Sequence, residues 1–170
     1  RRRFPMPVPP LLLLCTVIAV QDGDSLRVRC PDADASPPAV RSVRIHAIDA
    51  PEYRQPFGNR ARQALRQAVY RRTVRLDCVD TDAYARLVCK VSTVASAGRP
   101  AEDVGLAQVR SGLAWWYQRY AGAQTPADRA RYARAQEDAQ RAGSGLWRDA
   151  DRAVPPWQWR RSHPPLHGPR

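Results

Sequence analysis

Apolar positions alternate with polar ones over most of the first ninety residues, the period of half-buried strands. Thr16–Val20 and Ser25–Cys30 are β-rich runs on either side of Gln21-Asp22-Gly23-Asp24, whose Asp-Gly step favours a tight hairpin. The polar stretch 31–38 reads as a loop. Val40–Ile48 then alternates Val43, Ile45 and Ala47 against Arg44, His46 and Ile48, which predicts a third strand. The period changes in Asn59–Arg72, where Ala61, Leu65, Ala68 and Val69 line one side of a predicted helix that Asn59 can cap. Alternation returns at Val74, Leu76 and Cys78 and again at Leu87, Cys89 and Val91. Ala101–Ser111 reads as a second helix stopped by Gly112. Thr125, Pro126 and Asp128 supply a cap, a first-turn proline and an early acid for a third helix, which Gly143 ends.

The predicted order is β-β-β-α-β-β-α-α, an α+β chain that is mainly β. Three hairpin-linked strands, a helix and two closing strands match a five-stranded OB-fold barrel with about three helices. At 170 residues the chain suits one domain of ordinary size. The reading divides it into a basic and apolar segment 1–14, a barrel domain 15–149 and a proline- and arginine-rich irregular tail 150–170. Segment 1–14 resembles the start of an export signal or a remnant anchor, although no small-x-small cleavage site follows it. Its apolar run is about half the length that crosses a bilayer, which excludes a polytopic membrane protein.

The four cysteines sharpen the strand pairing. Cys15 and Cys30 are equidistant from the turn at Asp22–Gly23, and Cys78 and Cys89 from a turn near Ala83–Tyr84. In regular hairpins each pair would face itself, giving two cross-strand disulfides and an oxidising compartment. Four small buried hydrophobes are the alternative. Zinc fits least, because no C-x-x-C or paired histidine spacing occurs. The expected location is therefore exported, periplasmic or secreted, with membrane tethering as the alternative.

Charge narrows the partner class. Lysine plus arginine number 28 against 16 acids, a net +12, and Lys90 is the only lysine. Such an excess favours polyanions, meaning nucleic acid or an anionic membrane face. Three segments then supply chemistry that a polyanion would meet. Asp22-Gly23-Asp24-Ser25 sets two carboxylates around a tight turn; Val43 to Glu52 delivers Arg44, Asp49 and Glu52 around a rigid Ala50-Pro51 step; Thr81 to Leu87 offers Tyr84 and Arg86 on a hairpin. Metal-assisted phosphodiester hydrolysis needs these groups. Asp24 and Asp49 can hold an oxygen-seeking divalent ion. Glu52 can act as base for water, and Arg44 and Arg86 are forks matched to phosphate oxygens. His46, on the strand face of Arg44, is an alternative base or a structural histidine. His163 and His167 fall in the tail.

With these segments in order, the chain resembles the thermonuclease (staphylococcal-nuclease-like) family from about Cys15 to Asp149. Val109-Arg110-Ser111-Gly112-Leu113-Ala114 and Gly145-Leu146-Trp147 add to the likeness. The resemblance implies an OB-fold barrel and Ca²⁺-dependent cleavage of DNA and RNA by a monomer that needs no protein partner. It assigns Ca²⁺ to Asp24 and Asp49 with the Ala50 carbonyl, and catalysis to Arg44, Glu52 and Arg86. Asp22 and Ser25 would lie near the metal, Tyr84 beside a terminal phosphate, and Tyr117 against a base. Trp115 and Trp116 read instead as packing aromatics. Two departures stand out: Ala85 replaces a usual glycine before Arg86, and the loop from Tyr53 to Gly58 is short. The competing function is a nucleic-acid-binding OB-fold module without catalysis, which would need neither the metal carboxylates nor Glu52.

Overall fold

The computed structural model describes residues 11–31 and 38–164. Residues 1–10, most of the predicted loop 31–38, and the end of the tail, His167 included, lie outside the described residues. The strands are β1 (Leu11–Val20), β2 (Ser25–Cys30), β3 (Ala39–Ile45), β4 (Ile48–Asp49), β5 (Thr73–Thr81), β6 (Leu87–Thr93) and β7 (Trp115–Trp116). Helices α1 (Gly58–Val69), α2 (Val104–Arg110), α3 (Pro126–Arg141) and α4 (Pro156–Ser162) complete the regular elements, with 3₁₀ turns at Gln118–Ala123 and Gly145–Arg152.

Five strands close a barrel in the order β1-β2-β3-β6-β5, as the alternating pattern predicts. All neighbours are antiparallel except β3 and β6, which run parallel with Val43 opposite Leu87. Inward positions fill the interior with Val17, Leu26, Val28, Val43, Ile45, Leu76 and Val91, all buried. β-branched and leucine side chains at every second position suit this packing. Cys15–Cys30 and Cys78–Cys89 form disulfides, each across one strand pair.

Helix α1 buries Ala61, Leu65 and Val69 against the barrel. Gln108 on α2 is buried, and its Nε2 donates to the Gly23 carbonyl at 2.8 Å and the Ala61 carbonyl at 3.0 Å. One amide thus ties two helices to the first hairpin turn. Gly23 is required there by closeness: a Cβ would lie 2.6 Å from Ala50 Cβ and 2.7 Å from Ala61 Cβ.

Several boundaries differ from the sequence reading. The strand predicted for Val40–Ile48 stops at Ile45, because Ala47 turns to φ 65° and restarts the chain as the short β4. Helix α1 is not capped by Asn59; Phe57 holds the cap position at φ 70° with no side-chain bond. Helix α2 starts at Val104, where the Asp103 side chain accepts from the Leu106 amide. Thr125 caps α3 as predicted. Two domain edges are corrected. Leu11–Leu14, assigned to the leading segment, pair with Cys78 to Arg75 and belong to the barrel. The tail is not wholly irregular, since Pro156 opens helix α4 from the N1 position that suits its fixed φ. The helix count rises accordingly. Among the described residues no helix is long and apolar enough to cross a membrane.

Candidate active site

One end of the barrel carries a cleft of about 420 Å³. Asp22, Asp24, Ser25, Arg44, Asp49, Ala50, Glu52, Tyr84, Arg86 and Tyr117 all line it. Residues from four separate segments therefore face one volume.

The β1–β2 turn supplies the first carboxylates. Asp22 Oδ1 accepts the Asp24 amide at 3.0 Å, which shapes the turn. Asp24 is buried; its Oδ1 accepts from the Ser25 hydroxyl at 3.0 Å and its Oδ2 from the Ala50 amide at 2.8 Å. That last bond joins two loops that are 26 residues apart in sequence. Burial, and next the charge of Asp24, push Asp22 up to about 7.

Asp49 lies on β4, which pairs with β7 so that Asp49 faces Trp115 and Ile48 faces Trp116. This two-stranded patch ties Asp49 to the aromatic segment. Arg44 points from β3 into the same place, with its side chain 13% exposed. Its Nη1 donates to the carbonyls of Ile48 at 2.9 Å and Ile45 at 3.1 Å, and its Nη2 to Asp49 Oδ1 at 3.3 Å. Asp24 Oδ2 stands 3.9 Å from the same nitrogen. Burial raises Asp49 above the usual carboxylate range, against the pull of its arginine partners.

Glu52 follows the Pro51 step. Its amide donates to Gln55 Oε1 at 3.1 Å, and its carbonyl accepts from the Gln55 amide at 2.9 Å, so the short loop is a closed turn. Gly58 is needed beside it, because a Cβ there would collide with the Glu52 carbonyl oxygen.

Arg86 reaches the cleft from the β5–β6 turn. Asp82 organises that turn: its Oδ1 accepts the amides of Tyr84 at 2.9 Å and Arg86 at 3.0 Å, and its Oδ2 accepts from Arg86 Nε at 2.8 Å. Arg86 Nη1 extends to the Ser25 hydroxyl at 3.4 Å. Ala85 has φ 59°, so the position usually given to glycine is left-handed here as well. Tyr84 is 83% exposed at the rim.

His46 is buried, its Nε2 has no hydrogen-bond partner among the described residues, and burial lowers its proton affinity. Buried in the cleft wall with its Nε2 closed off from solvent, His46 fits the structural alternative. Tyr117, expected to meet a base, lines the cleft, where Trp157 stacks on it at 5.0 Å between centroids and Tyr120 meets it edge-on at 5.2 Å. Trp115 packs against Trp147 and Trp157, in keeping with a packing role, and Trp116 Nε1 donates to Gln124 Oε1.

Two participants, Asp82 and Arg160, escaped the sequence reading. Asp82 orders the Arg86 turn, and its spacing before Tyr84 is an Asx-turn signal. Tyr120 also lines the cleft. Arg160, on α4, donates from Nη1 to Asp49 Oδ1 at 3.1 Å and Glu52 Oε1 at 2.7 Å, and from Nη2 to Asp49 Oδ2 at 2.8 Å. The Pro155-Pro156 step ahead of Trp157 and Trp159 was the available sign of a docked helix.

Comparison with known proteins bears on this geometry. The family model described as staphylococcal nuclease homologue matches residues 42–149. The chain belongs to the staphylococcal nuclease family. Among curated relatives, it is 41% identical over 148 residues to "Protein ParB" of Escherichia coli, covering 85% of this chain and 77% of that one. It is 35% identical to an "Uncharacterized endonuclease" of Haemophilus influenzae, covering 86% and 72% of the two chains. Identity to a "Micrococcal nuclease" of Shigella flexneri is 34%, with 86% and 79% covered. The region matched to the staphylococcal nuclease family runs from within β3 into the Gly145–Arg152 turn, and so includes Arg44, Asp49, Glu52 and Arg86.

Residues fit a hard cation by their chemistry. Among the described residues there is no cluster of three or more His, Cys, Asp or Glu arranged to hold a metal. Asp24 and Asp49 instead offer two buried carboxylates in a cleft that Ala50 also lines, hard oxygen donors of the kind such a cation takes.

Proposed function

We propose that this member of the staphylococcal nuclease family hydrolyses phosphodiester bonds of DNA and RNA in a Ca²⁺-dependent reaction. The protein is a nuclease by family. The observation that carries the finer reading is the convergence of Asp24, Asp49, Arg44, Glu52 and Arg86 on one cleft. Asp24, Asp49 and the Ala50 carbonyl would hold Ca²⁺, which when bound supplies Lewis-acid stabilisation of charge on the phosphate.

The protein's own groups do the rest. Arg44, fixed by two backbone carbonyls, presents its guanidinium without losing much rotamer freedom. Arg86, aimed by Asp82, approaches from the opposite hairpin. Two preset forks can thus bind the oxygens of one phosphate, and donors placed where charge develops contribute about 3–4 kcal/mol each. Glu52, at the cleft edge, accepts a proton from the attacking water at its carboxylate. Tyr84, exposed at the rim, offers a ring face to the flanking nucleotide, with Tyr117 and Tyr120 in the cleft wall. The two disulfides support an exported location.

Incubation of the protein with DNA or RNA and Ca²⁺, and in parallel with chelator, tests this. Fragmentation that stops on chelation supports it. Retention of intact nucleic acid under both conditions would make the protein a binding barrel instead.

A further inference from the structure

The C-terminal helix places a third guanidinium among the carboxylates of the cleft. We propose that Arg160 is a positioning residue: it holds Glu52 in place for the reaction and sets its own charge against a divalent ion at Asp49. The inference rests on the nuclease reading of this cleft.

The contact is built from both ends. Helix α4 is held by Trp157, which stacks on Tyr117 and meets Trp115 edge-on at 5.6 Å, and Pro156 is buried. Just before the helix, the Val154 carbonyl accepts from Gln55 Nε2 at 2.6 Å, and Gln55 belongs to the turn that carries Glu52. The helix therefore docks on the two segments whose carboxylates Arg160 joins.

At the other end, Arg160 engages both oxygens of Asp49 as a fork and shares Nη1 with Glu52. Asp49 is 2% exposed at its side chain, whereas Glu52 is 39% exposed. Arg160 is the hydrogen-bond partner of the Glu52 carboxylate among the described residues. An exposed glutamate with no such partner would sample several rotamers, and a displacement of about 1 Å at a reacting group costs on the order of 100-fold in rate. The same guanidinium lies where a cation on Asp49 would feel its charge. Removing it lowers the repulsion that Ca²⁺ meets while freeing an Asp49 oxygen to coordinate.

These two consequences have opposite signs, which a merely structural role would not produce. The test uses the full chain and its Arg160→Ala and Arg160→Lys variants, with thermal unfolding to check that each is folded. Calorimetry without nucleic acid gives Ca²⁺ affinity, and steady-state cleavage of a short DNA gives kcat and KM. Arg160→Ala should bind Ca²⁺ roughly tenfold tighter and lose about 100-fold in kcat, with KM little changed. Arg160→Lys should return Ca²⁺ affinity toward the original value and recover only part of kcat, because a point charge lacks the fork. Unchanged or weaker Ca²⁺ binding by Arg160→Ala, or an unchanged kcat, would overturn the proposal. Should the unaltered protein bind Ca²⁺ and cut nothing, the nuclease reading fails, while the calorimetric comparison still decides whether Arg160 opposes the ion.

Discussion

Asp22 sits half-buried beside another carboxylate, and its proton is held up to about 7 against an ordinary value of 3.8. A carboxyl whose folded value exceeds its unfolded one contributes no penalty below the lower value. Between the two, the unfolded chain ionises first, so stability falls as pH rises, and above the higher value the loss is complete. Asp22→Asn should therefore become progressively more stable than the unaltered, Ca²⁺-free protein from pH 4 to 7, as read by denaturation midpoints. A constant difference over that range would contradict the assignment. Glu52→Gln should lose hydrolysis by about 100-fold or more while keeping its fold and Ca²⁺ affinity; full activity would remove Glu52 from the mechanism. Asp24→Ala should weaken Ca²⁺ binding in calorimetry, and unchanged affinity would remove Asp24 from the metal set. At Ala85 the left-handed backbone strains an L-residue. Ala85→Gly should stabilise the protein by about 1 kcal/mol in chemical denaturation.

Short elements decide the site more than long ones do. The two-residue β4 carries Asp49, the Glu52–Gly58 turn carries the proposed base, and α4 brings Arg160 to both. Gly58→Ala would push its new Cβ into the Glu52 carbonyl, so it should cost about 1–3 kcal/mol in stability and lower activity together. Unaltered activity with an unaltered fold would show that the turn has slack. The barrel strands were legible because burial on one face writes a period of two into Val17 through Val91, and the cysteine spacing pointed to β1 facing β2 and β5 facing β6. Asp24, Arg44 and Arg86 were legible for a different reason: carboxylates and guanidiniums occur in three ordered segments whose likeness to the staphylococcal nuclease family assigns them roles. The turn at Ala47 was not, because its left-handed residue is alanine and leaves no glycine signal. Arg160 was hidden by its setting: it lies 111 residues from Asp49, in a proline-rich stretch whose helix packs through Trp157 on Trp115 and Tyr117.

Across the whole molecule, a closed barrel sets the carboxylates of the first hairpin opposite the guanidinium of the last, with helices buttressing the outside. Rigidity at that scale lets three loops hold one geometry, and the two disulfides strengthen it by limiting the unfolded chain. Reduction should cost about 2–5 kcal/mol if both bridges open, which thermal unfolding with and without reductant would measure; an unchanged midpoint would show that the barrel needs neither. The net charge of +12 draws polyanions toward the surface, and the cleft sets acids beside Arg44, Arg86 and Arg160, a mixture in which the proposed cation would offset the acids toward a phosphate. That pairing of ion and phosphate is the centre of the account. It is tested most directly by a crystal structure with Ca²⁺ and a short DNA whose linkage resists hydrolysis. The account predicts the ion on Asp24, Asp49 and the Ala50 carbonyl, with the scissile phosphate bridging Arg44 and Arg86. An ion bound elsewhere, or DNA seated away from that cleft, would contradict it.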